Sequence, residues 1–421
     1  MSAVPRTKTV SQGRQSAFRP SDLYKTRICR ATSGEHIPLL VGAESGLPVL
    51  RPNQFVLVAR RDRSQVSTLK NDLAALAVVL SWARHRGTEL DELVDRGSGL
   101  DQNSVASLVD ALRSDYRNRR AGAKVVSMVR PLVSPEVWAG RIAIARDYIT
   151  WNLDNVLSQC EPGTLRYHHV RERRDEFIRA MNGRMPKTST HSSRKGLEPE
   201  AKSRLFAIVT PRSLENPFQA ALQERNALIV DVLETLGLRR AELCKLKTSH
   251  LRPGPKPTLF VERLPDDPED PRLQQPQVKT LSRLLPIDAR LSTRIQGYIL
   301  GDRKQLPNAN RTRFLFLART GKPIALTSIN KIFDQIVNWY PEFDDLLTPH
   351  VLRHTANDDL SETLERSGCS PEEAMAIRNY LNGWEPTSSQ GDKYNRRYVE
   401  ARAAEVFLEH QRRLFSKDGI E

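Results

Sequence analysis

The spacing of apolar positions changes character several times along the 421-residue chain, and each change marks an element. Residues 1 to 20 hold Arg6, Lys8, Arg14 and Arg19 with no acidic residue and few large apolars, the pattern of a segment that orders only on a partner. Residues 21 to 62 alternate short apolar pieces, Ile37 to Val41 and Phe55 to Val58, with Gly46 and Pro48 between them, and this predicts a few strands. From Ser67 the period becomes helical: Leu69, Leu73, Leu76 and Leu80 share one face, and Arg84 and Arg86 stand at the basic end before Gly87.

Further helices are predicted over 102 to 118 and over 135 to 159, the latter with Ile142, Ala145, Ile149, Trp151 and Leu153 on its inner side. Residues 164 to 182 form one more, studded with Arg166, Arg171, Arg173, Arg174 and Arg179. The stretch Met185 to Gly196 is polar and basic without periodicity, a linker composition. Beyond it a helix over 219 to 236 buries Leu228, Ile229, Val232, Leu233 and Leu236, stops at Gly237 and restarts at Arg239. Strands Leu259 to Val261 and Arg283 to Ile287 flank an acidic insertion, Pro265 to Pro271, and Phe314 to Leu317 precedes Gly321, Pro323 and a helix capped by Thr327. A loop is expected around Gly368 to Pro371, and a last helix from Asn395 to about Leu414 carries Val399, Ala403, Val406 and Phe407 on an apolar face. The fold class is mainly α with a small β-sheet, α+β. The domains are a basic arm with short strands (1–62), a helical domain (63–184), a linker (185–197) and a further domain (198–421).

Charge narrows the function. Lys plus Arg number 65 against 50 Asp plus Glu, a formal net charge of +15, which suits a polyanionic partner, nucleic acid in the simplest case. Cys29, Cys160, Cys244 and Cys369 show no paired spacing, so neither a disulfide framework nor a cysteine zinc site is expected, and a reduced cytoplasm follows. The longest apolar run, Ala74 to Leu80, is too short to cross a bilayer, and no membrane partner is expected. His168 and His169 are adjacent on a helix and point in different directions, so they do not make a metal pair.

The candidate chemistry lies in the last domain. The run Thr348 to Thr355 contains His350 and Arg353; Arg239 lies far upstream, at a helix restart, and Tyr394 and Tyr398 lie downstream. Taken singly, each has a plain structural reading: a helix end with a basic residue, a half-buried histidine near a solvated arginine, a tyrosine packing on the inner face of a helix. As an ordered set they resemble the tyrosine recombinase (phage integrase) family. Attack on a phosphodiester builds negative charge on the non-bridging oxygens, and two guanidiniums can hold those oxygens without a metal, so no cofactor is expected. Arg239 and Arg353 are that clamp. A tyrosine hydroxyl, with an unperturbed pKa of about 10, needs an acceptor before it can attack, and His350 is the natural one.

The resemblance implies the rest. Lys279, just before the strand at Arg283, matches the family's hairpin lysine and implies a general acid for the leaving 5' oxygen; the acidic insertion is longer than the family's usual turn, and Lys322 and Lys245 are next in line. Glu242, three residues after Arg239, matches the acidic residue that holds a catalytic side chain in place. Leu381-Asn382-Gly383-Trp384 matches a segment where most members carry histidine at the last position, and tryptophan there can still donate its indole N–H to a phosphate oxygen. Tyr394 follows Trp384 by ten residues and Tyr398 by fourteen, and the shorter interval, nearer the family's, favours Tyr394 as nucleophile.

The implied protein is a site-specific recombinase or integrase of a mobile element working through a 3'-phosphotyrosine, cytoplasmic and nucleoid-associated. It would act on double-stranded DNA as a homo-tetramer, with DNA-bending or directionality factors as further partners. The helical domain would then be the core-binding domain that precedes the catalytic one. A type IB topoisomerase or resolvase shares the same residues, and a non-catalytic DNA-binding protein on an integrase scaffold is the alternative of another class.

Overall fold

The computed structural model describes residues 19–116, 132–188, 195–344 and 346–388. Tyr394, Tyr398 and the expected last helix lie outside them. The chain divides into two units, Met1–Thr190 and His191–Glu421.

In the first unit a short helix α1 (Pro20–Leu23) leads into an antiparallel hairpin, β1 (Tyr24–Arg30) and β2 (His36–Gly42), in register from Tyr24 opposite Gly42 to Arg30 opposite His36. Leu40 sits at 0% exposure, and both its backbone groups are taken by the Asn53 side chain at 2.8 Å, which satisfies the free edge of β2. Asn53 belongs to helix α2 (Leu50–Phe55), and the following Val56–Arg60 continue as a π-helical turn. The strand expected over Phe55 to Val58 is therefore helical. A short apolar run has no period of its own, and here Phe55 and Val56 are both buried as sequential neighbours, where a strand would send them to opposite faces.

Helix α3 (Val66–His85) buries Leu69, Leu73 and Leu76 as its period requires, with Leu80 only partly covered. It packs with α4 (Leu90–Asp95), which the sequence reading missed, and with α5 (Gln102–Arg113), α6 (Pro135–Ser158) and α7 (Leu165–Asn182) around Tyr148 and Phe177. Side chains of Asp101, Ser134 and Thr164 cap the last three at their N-termini. Helix α5 stops at Arg113, short of the expected 118, because Ser114 turns extended and bridges to Leu132. On α7 the arginine run splits. Arg173 holds the Ser98 carbonyl at 3.0 Å and Arg174 pairs with Asp154, whereas Arg166, Arg171 and Arg179 are exposed.

The second unit is built on α8 (Pro199–Val209), α9 (Ala220–Thr235) and α10 (Arg240–Lys245), followed by a three-stranded antiparallel sheet of β3 (Leu251–Arg252), β4 (Thr258–Val261) and β5 (Arg283–Pro286). Helices α11 (Ala289–Leu300), α12 (Leu326–Trp339), α13 (Pro349–Arg366) and α14 (Pro371–Asn382) complete it. Its core joins Leu228, Ile229, Val232 and Leu233 of α9 to Leu285, Ile295, Phe333 and Leu352. Gly196 and Leu197 lie against α13: the Leu197 amide donates to Thr355 at 2.8 Å, and a Cβ at Gly196 would stand 2.8 Å from the Thr355 backbone.

Two details differ from the sequence reading. Helix α12 starts one residue before Thr327 and its N-cap is Ala325, without a side-chain cap, so Thr327 lies inside the first turn. Helices α13 and α14 are joined by Ser367 to Ser370 alone, so the additional length between Arg353 and Trp384 is helix rather than loop. The acidic insertion folds inward: Asp267 and Asp270 are 1% and 2% exposed and face Lys245, Lys247 and Arg272. Among the described residues no helix is long and apolar enough to cross a membrane.

Candidate active site

Helix α9 ends at Gly237, whose φ of +57° is the left-handed conformation glycine adopts without strain. A Cβ there would already touch Ala356 of α13 at 3.4 Å, so the turn lies close against that helix. The chain re-enters helix at Arg239, the N-cap of α10, and the Glu242 carboxylate reaches back to the Arg239 amide at 2.6 Å, the acidic half of a capping box. Helix α13 opens under a Thr348 cap, which places His350 in its first turn and Arg353 one turn on, along the same face.

Arg239 and Arg353, 114 positions apart in sequence, meet at one atom. Arg239 Nη1 and Arg353 Nη2 each lie 3.4 Å from the Asn382 carbonyl oxygen at the end of α14. Arg353 is 1% exposed; its Nη1 donates to the Gly237 carbonyl and stands 4.0 Å from Glu242. Arg239 is half-buried. Trp384 follows the α14 cap, Gly383, and its ring centroid lies 5.4 Å from the Arg353 guanidinium carbon, a cation–π contact. The α13 and α14 backbones are tied beneath this point by a reciprocal amide pair, Asn357 with Asn382, at 2.7 and 3.3 Å.

His350 is half-buried, and its Nε2 is 3.3 Å from Nε2 of His354, with the rings edge-on at 4.7 Å. One nitrogen must donate and the other accept, so the tautomers of the two imidazoles are coupled. Lys279 is exposed, between buried Val278 and buried Thr280. Its neighbour Thr280 donates to Glu242 Oε1, the same oxygen that takes Arg283 Nη1 at 2.8 Å.

Glu242 is thus the hub: one oxygen faces the hairpin, the other the Arg239 turn. Burial alone would raise its pKa, but Arg283 first, then Arg353 and Thr280, outweigh burial and hold it below the ordinary carboxylate range. Lys245 and Lys322 stand elsewhere. Lys245 is buried against Asp267, Asp270 and Gln275, with burial pulling its pKa down, and Lys322 is exposed beyond the Leu317–Pro323 bridge. Among the described residues no group of three or more His, Cys, Asp or Glu could hold a metal ion.

The sequence reading missed Arg283, Thr280, Asn382 and Asn357. For Arg283 a signal existed. The period of two places it on the face of Leu285 and Ile287, and a lone arginine on a buried strand face needs a partner there.

Residues 204–380 match the model described as the phage integrase family. The match lies within the second unit and contains Arg239, Glu242, Lys279, His350 and Arg353. No curated protein matches it. Among solved structures it is similar to the XerH site-specific recombinase bound to a palindromic difH substrate in a post-cleavage complex, at 13% identity and a TM-score of 0.47 over 84% of this chain and 85% of that one. It is also similar to a lambda integrase dimer bound to a COC' core site, at 13% identity and a TM-score of 0.44 over 89% of this chain and 78% of that one.

Proposed function

We propose that this chain is a member of the phage integrase family and a site-specific tyrosine recombinase that cuts and rejoins double-stranded DNA through a 3'-phosphotyrosine, in the integration or excision of a mobile element. The observation that carries the reading is the meeting of Arg239 and Arg353 at a single oxygen, with His350 on the same helix as Arg353, one turn away. Both contacts are long for charge-assisted bonds, which run to about 2.7–2.9 Å. A phosphate oxygen therefore offers the two guanidiniums a stronger acceptor than the Asn382 carbonyl does. Arg353 is pinned by Gly237 and by the Trp384 ring, so its fork is set before substrate arrives, as transition-state stabilisation requires.

In the reaction the Tyr394 oxygen forms a bond to phosphorus and its proton passes to His350. The bond from phosphorus to the 5' oxygen breaks, and that oxygen takes a proton from Lys279. The 5'-hydroxyl of the partner strand then attacks the phosphotyrosine, the tyrosine oxygen leaves, and each proton returns by the reverse path. Glu242 holds the Arg239 turn and the hairpin in one frame. The exposed Arg166, Arg171 and Arg179 of α7 suit contacts to DNA phosphates by the first unit, in the role of a core-binding domain. Four copies on two duplexes would carry out the exchange.

A suicide substrate nicked beside the cleavage site tests the assignment. Tyr394→Phe should form no covalent protein–DNA adduct on a denaturing gel while binding DNA as the parent does, and Tyr398→Phe should still be trapped. Trapping by Tyr394→Phe and none by Tyr398→Phe would reverse the two roles.

A further inference from the structure

Lys279 poses a problem of position. The β4–β5 ladder ends at the pair Val261 and Arg283, so Lys279 to Ser282 lie outside it, and sheet hydrogen bonds do not fix the exposed lysine. Other contacts hold the segment. Thr280 donates to Glu242, and the Leu281 amide donates to the Gly383 carbonyl at 2.9 Å. The Leu281 carbonyl lies 3.5 Å from Arg283 Nη1, and Arg283 reaches across to the Leu381 carbonyl through Nε at 2.8 Å and to Glu242 through Nη1 at 2.8 Å.

The Arg283 side chain is 1% exposed and Glu242 0%, a fully buried ion pair. The turn above it leaves room for nothing larger than glycine. A Cβ at Gly383 would stand 2.6 Å from Arg283 Nη1 and 2.9 Å from the Leu281 carbonyl, and the φ of +65° independently favours glycine.

We propose that Arg283 is a positioning residue for Lys279 in the strand-cleavage step: its guanidinium locks the lysine segment onto the Glu242 hub and the α14 end. This rests on the recombinase reading above. Lys279 sits one residue before Thr280, so this knot sets its place, whereas Arg353 is held separately by the Gly237 carbonyl and the Trp384 ring. A buried ion pair contributes little net stability, because desolvation offsets the attraction, whereas a planar fork with several fixed acceptors sets geometry. Arg283 Nη2 is buried and has no hydrogen-bond partner among the described residues, which also fits a guanidinium selected for where its other nitrogens point.

The test compares two substrates in single-turnover cleavage by the full chain: an ordinary phosphodiester, and one whose bridging 5' oxygen is sulfur, a leaving group that needs no proton. Arg283→Lys keeps the charge and loses the fork. It should slow cleavage of the ordinary substrate by roughly tenfold or more, within the range of general acid catalysis, and leave the sulfur substrate within about threefold of the parent rate. Thr280→Val, which removes one bond to Glu242, should shift the same ratio in the same direction and supplies the reading if the lysine variant does not fold. Equal slowing on both substrates would make Arg283 a merely structural residue and overturn the proposal, as would unchanged rates on both. If the parent chain forms no adduct on either substrate, the recombinase reading itself fails and the proposal falls with it.

Discussion

Replacing Glu242 by glutamine should destabilise the second unit far more than its conservative shape suggests. The carboxylate accepts from Arg283 Nη1 at 2.8 Å, from Thr280, and from the Arg239 amide at 2.6 Å, with Arg353 at 4.0 Å. Every neighbour is a donor. A glutamine has one oxygen and one NH2, so whichever way it turns, its nitrogen faces either the Arg239 amide or the Arg283 and Thr280 pair. It also leaves the buried Arg283 guanidinium without its counter-charge. Removing one partner of a buried pair costs about 3–5 kcal/mol, and for a unit of this size each kcal/mol moves the midpoint by about 2–4 °C, so a fall of roughly 6–20 °C is expected. Thermal unfolding of the full chain, with peptide-resolved hydrogen exchange over α9 to assign the transition to this unit, measures it. The double variant Glu242→Gln, Arg283→Met removes the orphaned charge as well and should be more stable than the sum of the singles by about 0.5–3 kcal/mol. A loss below about 2 °C for the single variant, or strict additivity in the double, would refute the view of Glu242 as a charge hub.

Three other outcomes follow from the same contacts. Because Arg283, Arg353 and Thr280 hold the Glu242 pKa down against burial, its stabilisation is fully present above the unfolded value of 4.5 and is lost as pH falls through the lower folded value; Glu242→Gln should flatten this part of the acid limb in stability–pH curves. Gly196→Ala should be strongly destabilising, since its Cβ would stand 2.5 Å from the Asp358 carboxylate and 2.8 Å from Thr355 backbone atoms, and a thermal midpoint equal to the parent's would refute the close approach to α13. Lys245→Met should lower stability by leaving Asp267 and Asp270 short of a cation, and any cleavage defect should be the same on oxygen and sulfur substrates; selective rescue by sulfur would move the general-acid role from Lys279 to Lys245.

What the sequence could reveal about this site depended on whether the relevant contact was local or crossed the fold. Arg239 with Glu242 is a helix start, and His350 with Arg353 is one helical face, so both are legible from spacing alone. Their meeting was legible only through the order of the whole set, because the atom they share, the Asn382 carbonyl, belongs to neither segment. The inward fold of the acidic insertion was illegible for the same reason. Asp267, Glu269 and Asp270 in a proline-rich stretch have the composition of a solvated loop, and nothing local reveals that Lys245 and Lys247, some twenty residues earlier, stand where those charges fold back. Lys247 shows the balance that decides such cases: burial pulls its pKa down, yet Glu269 and Asp267 together raise it, so its ammonium is held charged against them. That balance also separates the three lysines offered for the leaving oxygen. A general acid must meet substrate, and the acid network encloses Lys245 while Lys322 lies in the turn closed by the isolated Leu317–Pro323 bridge. Lys279 alone of the three adjoins a residue bonded to the hub that holds the arginines.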